Sequence, residues 1–173
     1  MKTTIKIFSL AIAIIGFSAT SFAQVGVGVS ATATASSIII KPISINKTVD
    51  MNFGNVAVNA NAGTVVLSYE GTRTASGGVT LPATSGTFAA AEFTIAGAEN
   101  YTYSITLPST PTTVTSGSDN MTVTAFTSNP DGTGTLTGGT QTLKVGATLN
   151  VGVSQAAGTY TSATPFKVSV NYN

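Results

Sequence analysis

Few side chains of this sequence are equipped for covalent or acid–base chemistry. The 173 residues include no histidine and no cysteine, and the carboxylates of Asp50, Glu70, Glu92, Glu99, Asp119 and Asp131 lie singly at turns or strand ends. Serine and threonine abound, but no imidazole is present to activate them. A hydrolytic pair would require two of those carboxylates to meet in space. Asn129-Pro-Asp-Gly-Thr133 offers a single carboxylate, whereas calcium takes about six to eight oxygens, so the stretch reads as a turn. Tyr101, Tyr103, Tyr160 and Tyr172 have the rings to stack on a sugar, yet their alternation with Thr and Ser points to packing. Three Asn-x-Thr triplets, at Asn46, Asn100 and Asn120, are what a threonine-rich chain produces by chance. The expectation is a protein that is no enzyme and carries no cofactor and no metal.

What remains is the hydrogen-bonding chemistry of extended backbone. In Val25 to Ala35, Val25, Val27, Val29, Ala31, Ala33 and Ala35 alternate with Gly, Ser and Thr, which places all of them on one face of a strand. Such a strand would reach about 36 Å at roughly 3.3 Å per residue, and alone it is not stable in water. It needs a groove between other strands. Period-2 alternation fixes its buried face but leaves open whether the groove belongs to its own chain or to a neighbour.

The elements around it follow in order. Lys2 and Lys6 precede an apolar run from Ile7 to Phe17, and Ser21-Phe22-Ala23 supplies the small residues a signal peptidase reads, so cleavage between Ala23 and Gln24 is expected. No later segment is apolar enough to span a bilayer as a helix. Residues 1–23 are thus a signal peptide, 24–36 the alternating segment and 37–173 a single domain. Removing Lys2 and Lys6 leaves five cations against six carboxylates, scattered singly, with nothing to grip nucleic acid. The 18 glycines and the many threonines, with only 8% charged residues, describe strands solvated by hydroxyls.

Turn signals recur at the spacing of an all-β sandwich, and no window carries a helical apolar period. The pattern predicts a strand over Ser37 to Lys47 with a phase slip at Pro42. Val49 to Phe53 follows, then a bulge at Gly54-Asn55, with Val56 and Val58 resuming in the opposite phase. A hairpin, Thr64 to Tyr69 returning through Thr72 to Thr74, turns at Glu70-Gly71. Val79 to Leu81, Phe88 to Ile95, Tyr101 to Leu107, Met121 to Phe126, Leu143 to Val153 and Phe166 to Tyr172 complete the set. The last of these, with Phe166, Val168, Val170 and Tyr172 in phase, is the expected acceptor edge for the first.

Eight blocks carry a resemblance: MNFG at Met51, GTVVL at Gly63, EGTRT at Glu70, GGVTL at Gly77, YTYSITLP at Tyr101, GTQTLKVGATLNV at Gly139, QAAGTYT at Gln155 and VNYN at Val170. They resemble a large family of secreted bacterial domains of unknown function. That family is similar to the spore coat protein U domain and, more remotely, to subunits of archaic chaperone–usher pili. The resemblance implies an immunoglobulin-like, Greek-key β-sandwich whose groove takes the N-terminal strand of the next subunit, the donor-strand form of β-augmentation. It also implies a periplasmic chaperone and an outer-membrane usher as partners. The signal peptide, with no lipid-anchor cysteine and no second hydrophobic span, leaves the cell surface, the medium and the periplasm as destinations. The functional expectation is a structural fibre or surface-matrix subunit forming head-to-tail homo-oligomers. The alternative is a monomeric adhesion or glycan-binding module with its first strand folded in cis.

Overall fold

The regular alternation from Leu143 to Val151 becomes the central strand of the larger sheet. The computed structural model describes Gly26 and residues 28–173, so the expected signal peptide, the Ala23–Gln24 junction, Val25 and Val27 lie outside the described residues. Residues Ile38–Asn173 form one compact all-β unit. Its strands are β1 (Ser44–Val49), β2 (Ala57–Leu67), β3 (Arg73–Thr80), β4 (Ala91–Ala96), β5 (Thr102–Thr106), β6 (Thr112–Ser116), β7 (Asp119–Asn129), β8 (Thr133–Thr135), β9 (Thr140–Val151) and β10 (Ser169–Tyr172). A short 3-10 turn, Thr137–Gly139, leads into β9.

β9 buries Leu143, Val145, Ala147, Leu149 and Val151 on its inner face and is paired along both edges. One edge is taken by β7; the other is shared end to end by β4, from Thr140 to Val145, and β2, from Ala147 to Val151. Gly146 stands at the junction, where a Cβ would meet the backbone of Leu67 and Tyr69, so only glycine lets β2 leave at that point. The resulting sheet has seven strands, in the order β1-β4-β9-β2-β3 with β6-β7 on the far edge of β9. A second sheet has the order β10-β5-β8. Together they make a sandwich, the fold class that the turn spacing predicts.

The interior consists of two clusters. The first sits under the small sheet: Ile95, Tyr103, Leu136, Leu143, Val145 and Val168 are buried, with Ile43, Ile45, Phe93, Val170 and Tyr172 packed against them. The second lies under the other half of the large sheet and contains Val65, Val79, Val123, Ala147, Leu149 and Val151. Met51 and Phe126 pack against both. Phe126 reaches inward because β7 carries a bulge between Thr124 and Thr127, with Ala125 at φ 49. That extra residue reverses the alternation, turning Ala125 out and Phe126 in.

Several expectations change. The Ser37 to Lys47 strand shortens to β1, which begins after Pro42; Ile38 and Ile39 are 90% and 96% exposed, so their apolar character marks no buried face. Val56, Val58 and Thr64 to Leu67, read as two strands, are covered largely by β2, which slips register between Val58 and Gly63. β6 and β8 have no counterpart in the sequence reading. Phe88 lies outside β4 and is 37% exposed. Of the expected last strand, only Ser169–Tyr172 forms a ladder, with β5.

Tyr103 is the largest fully buried side chain; its hydroxyl donates to Gln141 Oε1 at 2.8 Å, and the same oxygen accepts Thr135 N at 3.0 Å. Burial raises its phenol above the ordinary value of 10.0. The unfolded chain therefore loses that proton at lower pH than the folded one, so the Tyr103 contribution is full below about pH 10 and is lost as pH rises through the raised value. Tyr103→Phe is expected to cost about 1 kcal/mol at neutral pH through the lost hydrogen bond. It should also flatten the fall in stability above pH 10, as read by urea unfolding at a series of pH values.

Candidate functional site: an open apolar groove

The small sheet covers only the first cluster. Over the second, the cover consists of two irregular stretches, 50–56 and 155–166, and between them runs an open groove of about 1000 Å³. Its floor is core: Val123, Leu149 and Val151 are 4–5% exposed, with Val114 and Met121 beside them. Met51, Phe53 and Val56 line one wall; Tyr160 and Phe166 line the other. A smaller cavity of about 200 Å³ extends it past Met51 and Phe166 toward Lys47 and Phe93.

Each wall is tied on its outer side. Asn52 and Ala89 exchange a pair of backbone hydrogen bonds, both 2.9 Å, and Asn55 N donates to Ser85 O at 2.7 Å. Across the groove, Thr115 and Thr161 exchange bonds of 2.9 and 3.1 Å. Apart from these isolated bridges, no strand of the described residues pairs with either wall along the groove. The arrangement is an open apolar groove in the sandwich, floored by core residues and walled by two irregular stretches.

Local bonds hold the walls in shape. The Tyr160 hydroxyl donates to Ala156 O at 2.8 Å and accepts Gln155 Nε2 at 2.8 Å, while Gln155 Oε1 accepts Gly152 N at 3.2 Å, which closes the Gln155 to Tyr160 loop. Phe166 stacks on Phe126 at a centroid distance of 5.0 Å. Tyr172 accepts Ala98 N at 2.6 Å and donates to Lys41 O at 2.8 Å, pinning the end of β10 to the approach to β1.

Of the residues read as an acceptor edge, Phe166, Val168, Val170 and Tyr172 all lie in or against the first cluster; Phe166 also lines the groove, and Val170 and Tyr172 belong to β10, which pairs with β5. Val29, Ala31, Ala33 and Ala35 are exposed, Val29 by 97%, and residues 28–43 hold no strand. The four tyrosines do not make one face: Tyr103 is buried, Tyr160 closes its loop, and Tyr101 meets Tyr172 edge-on at 5.7 Å. Asp50 pairs with Lys47 at 2.5 Å and Glu92 with Lys144 at 3.1 Å. Among the described residues no three His, Cys, Asp or Glu side chains gather where they could hold an ion. The first wall and the floor were missed as parts of a site, although the phase reversal about Gly54 marked where the wall leaves the ladder.

A family model described as a domain of unknown function, DUF4402, matches residues 43–172. The chain belongs to that family. The DUF4402 match begins one residue before β1 and ends on the last residue of β10, so it takes in both sheets, the groove floor and both walls. It does not include Val25 to Ala35. No curated protein and no solved structure matches the chain.

Proposed function

We propose that this DUF4402 protein is an exported structural subunit of a cell-surface fibre or matrix, joined head to tail by donation of a strand from one subunit to the groove of the next. The open apolar groove carries the reading. Its floor is made of residues that belong to the hydrophobic core, and burying such surface is the main source of favourable energy in association. The alternating segment supplies a matching shape: small apolar side chains on one face, of which Val29, Ala31, Ala33 and Ala35 are exposed. Its three valines and three alanines are worth at most about 7 kcal/mol on burial, to which the backbone bonds of a filled groove add. Donated and receiving surfaces differ, so the contact is heterologous and propagates into filaments.

The likeness to spore coat protein U domains and to chaperone–usher pilins belongs to this proposal, as do a signal peptide cleaved after Ala23, a periplasmic chaperone that shields the unfilled groove, and an outer-membrane usher. The test compares the mature protein with one lacking residues 24–35. The full chain is expected to run as a ladder on unheated denaturing gels and to form filaments by electron microscopy; the shortened chain is not. A full chain that stays monomeric, with amides 25–35 protected from exchange, means that the strand folds in cis and the fibre reading is wrong.

A further inference from the structure

Arg73 opens β3 on the far side of the first wall and contributes nothing to the lining of the groove. Its guanidinium has no carboxylate partner among the described residues. Instead Nη1 donates to Phe53 O at 2.5 Å and to Asn55 O at 3.1 Å, the cation lies 4.1 Å from the centroid of the Phe88 ring, and the buried Nε has no hydrogen-bond partner. Between the two carbonyls Gly54 sits at φ +68, where a Cβ would come within 2.8 Å of Arg73 Nη1 and 3.1 Å of the Phe88 Cβ. The Phe53–Asn55 turn is therefore closed around the guanidinium. Partly burying a cation, with its Nε left without a partner, to meet two carbonyls and a ring costs more than a neutral hydrogen bond would to hold the same loop. The other polar ties of the wall to the body are the Asn52–Ala89 bridge and the bonds from Asn55 N to Ser85 O and Asn55 Nδ2 to Thr84 O, beside the packing of Met51, Phe53 and Val56 on the core.

We infer that Arg73 is a positioning residue for strand acceptance: it fixes the Met51–Val56 wall at the spacing needed by an extended, alternating segment of a second copy of this chain, and acts on that segment only through the wall. The inference rests on the strand-donation reading above. A planar fork that reaches carbonyls while lying flat on a ring is a property of arginine; lysine supplies a point charge and loses the stacking. Two sequence blocks far apart in the chain, MNFG and EGTRT, thereby act as one device.

The experiment uses the full mature chain made monomeric by Val27→Asp and Val29→Asp, with a synthetic peptide of residues 24–36 as the probe. Arg73→Met is expected to speed amide exchange over residues 51–56 and to weaken the peptide by about tenfold or more, the scale of one or two lost bonds. Amides 143–149 of β9 should exchange as before. Arg73→Lys should fall between parent and Arg73→Met in both readouts. If residues 51–56 exchange unchanged, or if all strands accelerate together, Arg73 is not a wall latch. A parent that binds and an Arg73→Met chain that binds equally well overturn the role of Arg73 and leave the strand-donation reading standing. A parent that binds no peptide sinks that reading itself. Should Arg73→Met fail to fold, Arg73→Lys must show both effects at smaller size, and its equality with the parent is equally decisive against the inference.

Discussion

Mature protein carrying Val27→Asp and Val29→Asp is expected to run as a monomer on an unheated denaturing gel, where the unaltered chain is expected to run as a ladder. The magnitudes decide it. All six apolar side chains of the segment contribute at most about 7 kcal/mol. An unpaired carboxylate pressed onto a floor of Val123, Leu149 and Val151 costs several kcal/mol, and two of them leave no net gain. The substituted chain should keep the circular dichroism of the parent but melt at a lower temperature, because the groove that a donated strand would fill is left empty. Thr32→Asp, on the polar face, should leave the ladder intact. A ladder that survives the double substitution would show that assembly proceeds through some other surface.

The second large effect is expected at Phe126. This ring packs against both core clusters and stacks on Phe166, a residue of the second groove wall. Replacing a core phenylalanine by alanine costs about 3–5 kcal/mol, and partial exposure of Phe126 puts the expected loss at about 3 kcal/mol. For a domain of this size that lowers the melting temperature by about 6–12 °C. The neighbouring Ala125→Gly should move the other way by up to about 1 kcal/mol, since glycine accepts φ 49 without a Cβ penalty. Scanning calorimetry on the two variants checks both signs. If Phe126→Ala melts with the parent, the ring does not join the clusters as described.

Where the sequence was legible, one physical signal dominated. β9 could be read because every second residue from Leu143 to Val151 is apolar and one face of it is buried throughout. The β2–β3 hairpin could be read because Glu70-Gly71 combines a turn residue with an alternating run on each side. β6 and β8 escaped because Thr112–Ser116 holds one apolar residue, Val114, and Thr133–Thr135 holds none; backbone pairing forms them without an apolar pattern. Ile38 and Ile39 misled for the opposite reason, being apolar yet exposed. The bulge at Ala125 has no glycine to announce it. As for the groove, its floor residues follow the ordinary pattern of a core, and an unfilled space leaves no residues to read. Only the unmatched alternation of Val25 to Ala35 hinted at it.

The second wall, tied to the body of the sandwich through the Thr115–Thr161 bridge, also bears on how long a subunit survives. Lys47, Arg73 and Lys144 lie within strands, and Lys41 is followed by Pro42, a bond that trypsin-like enzymes cut poorly. Lys167 is exposed, lies in no ladder and adjoins Phe166 of the groove. A weakly anchored, exposed backbone is where proteases cut first. On the strand-donation proposal, an empty subunit would offer its cleavable bond beside the vacant groove, and a strand seated there would stiffen the same stretch and conceal it. Turnover would then fall on subunits that found no neighbour and spare those built into a filament.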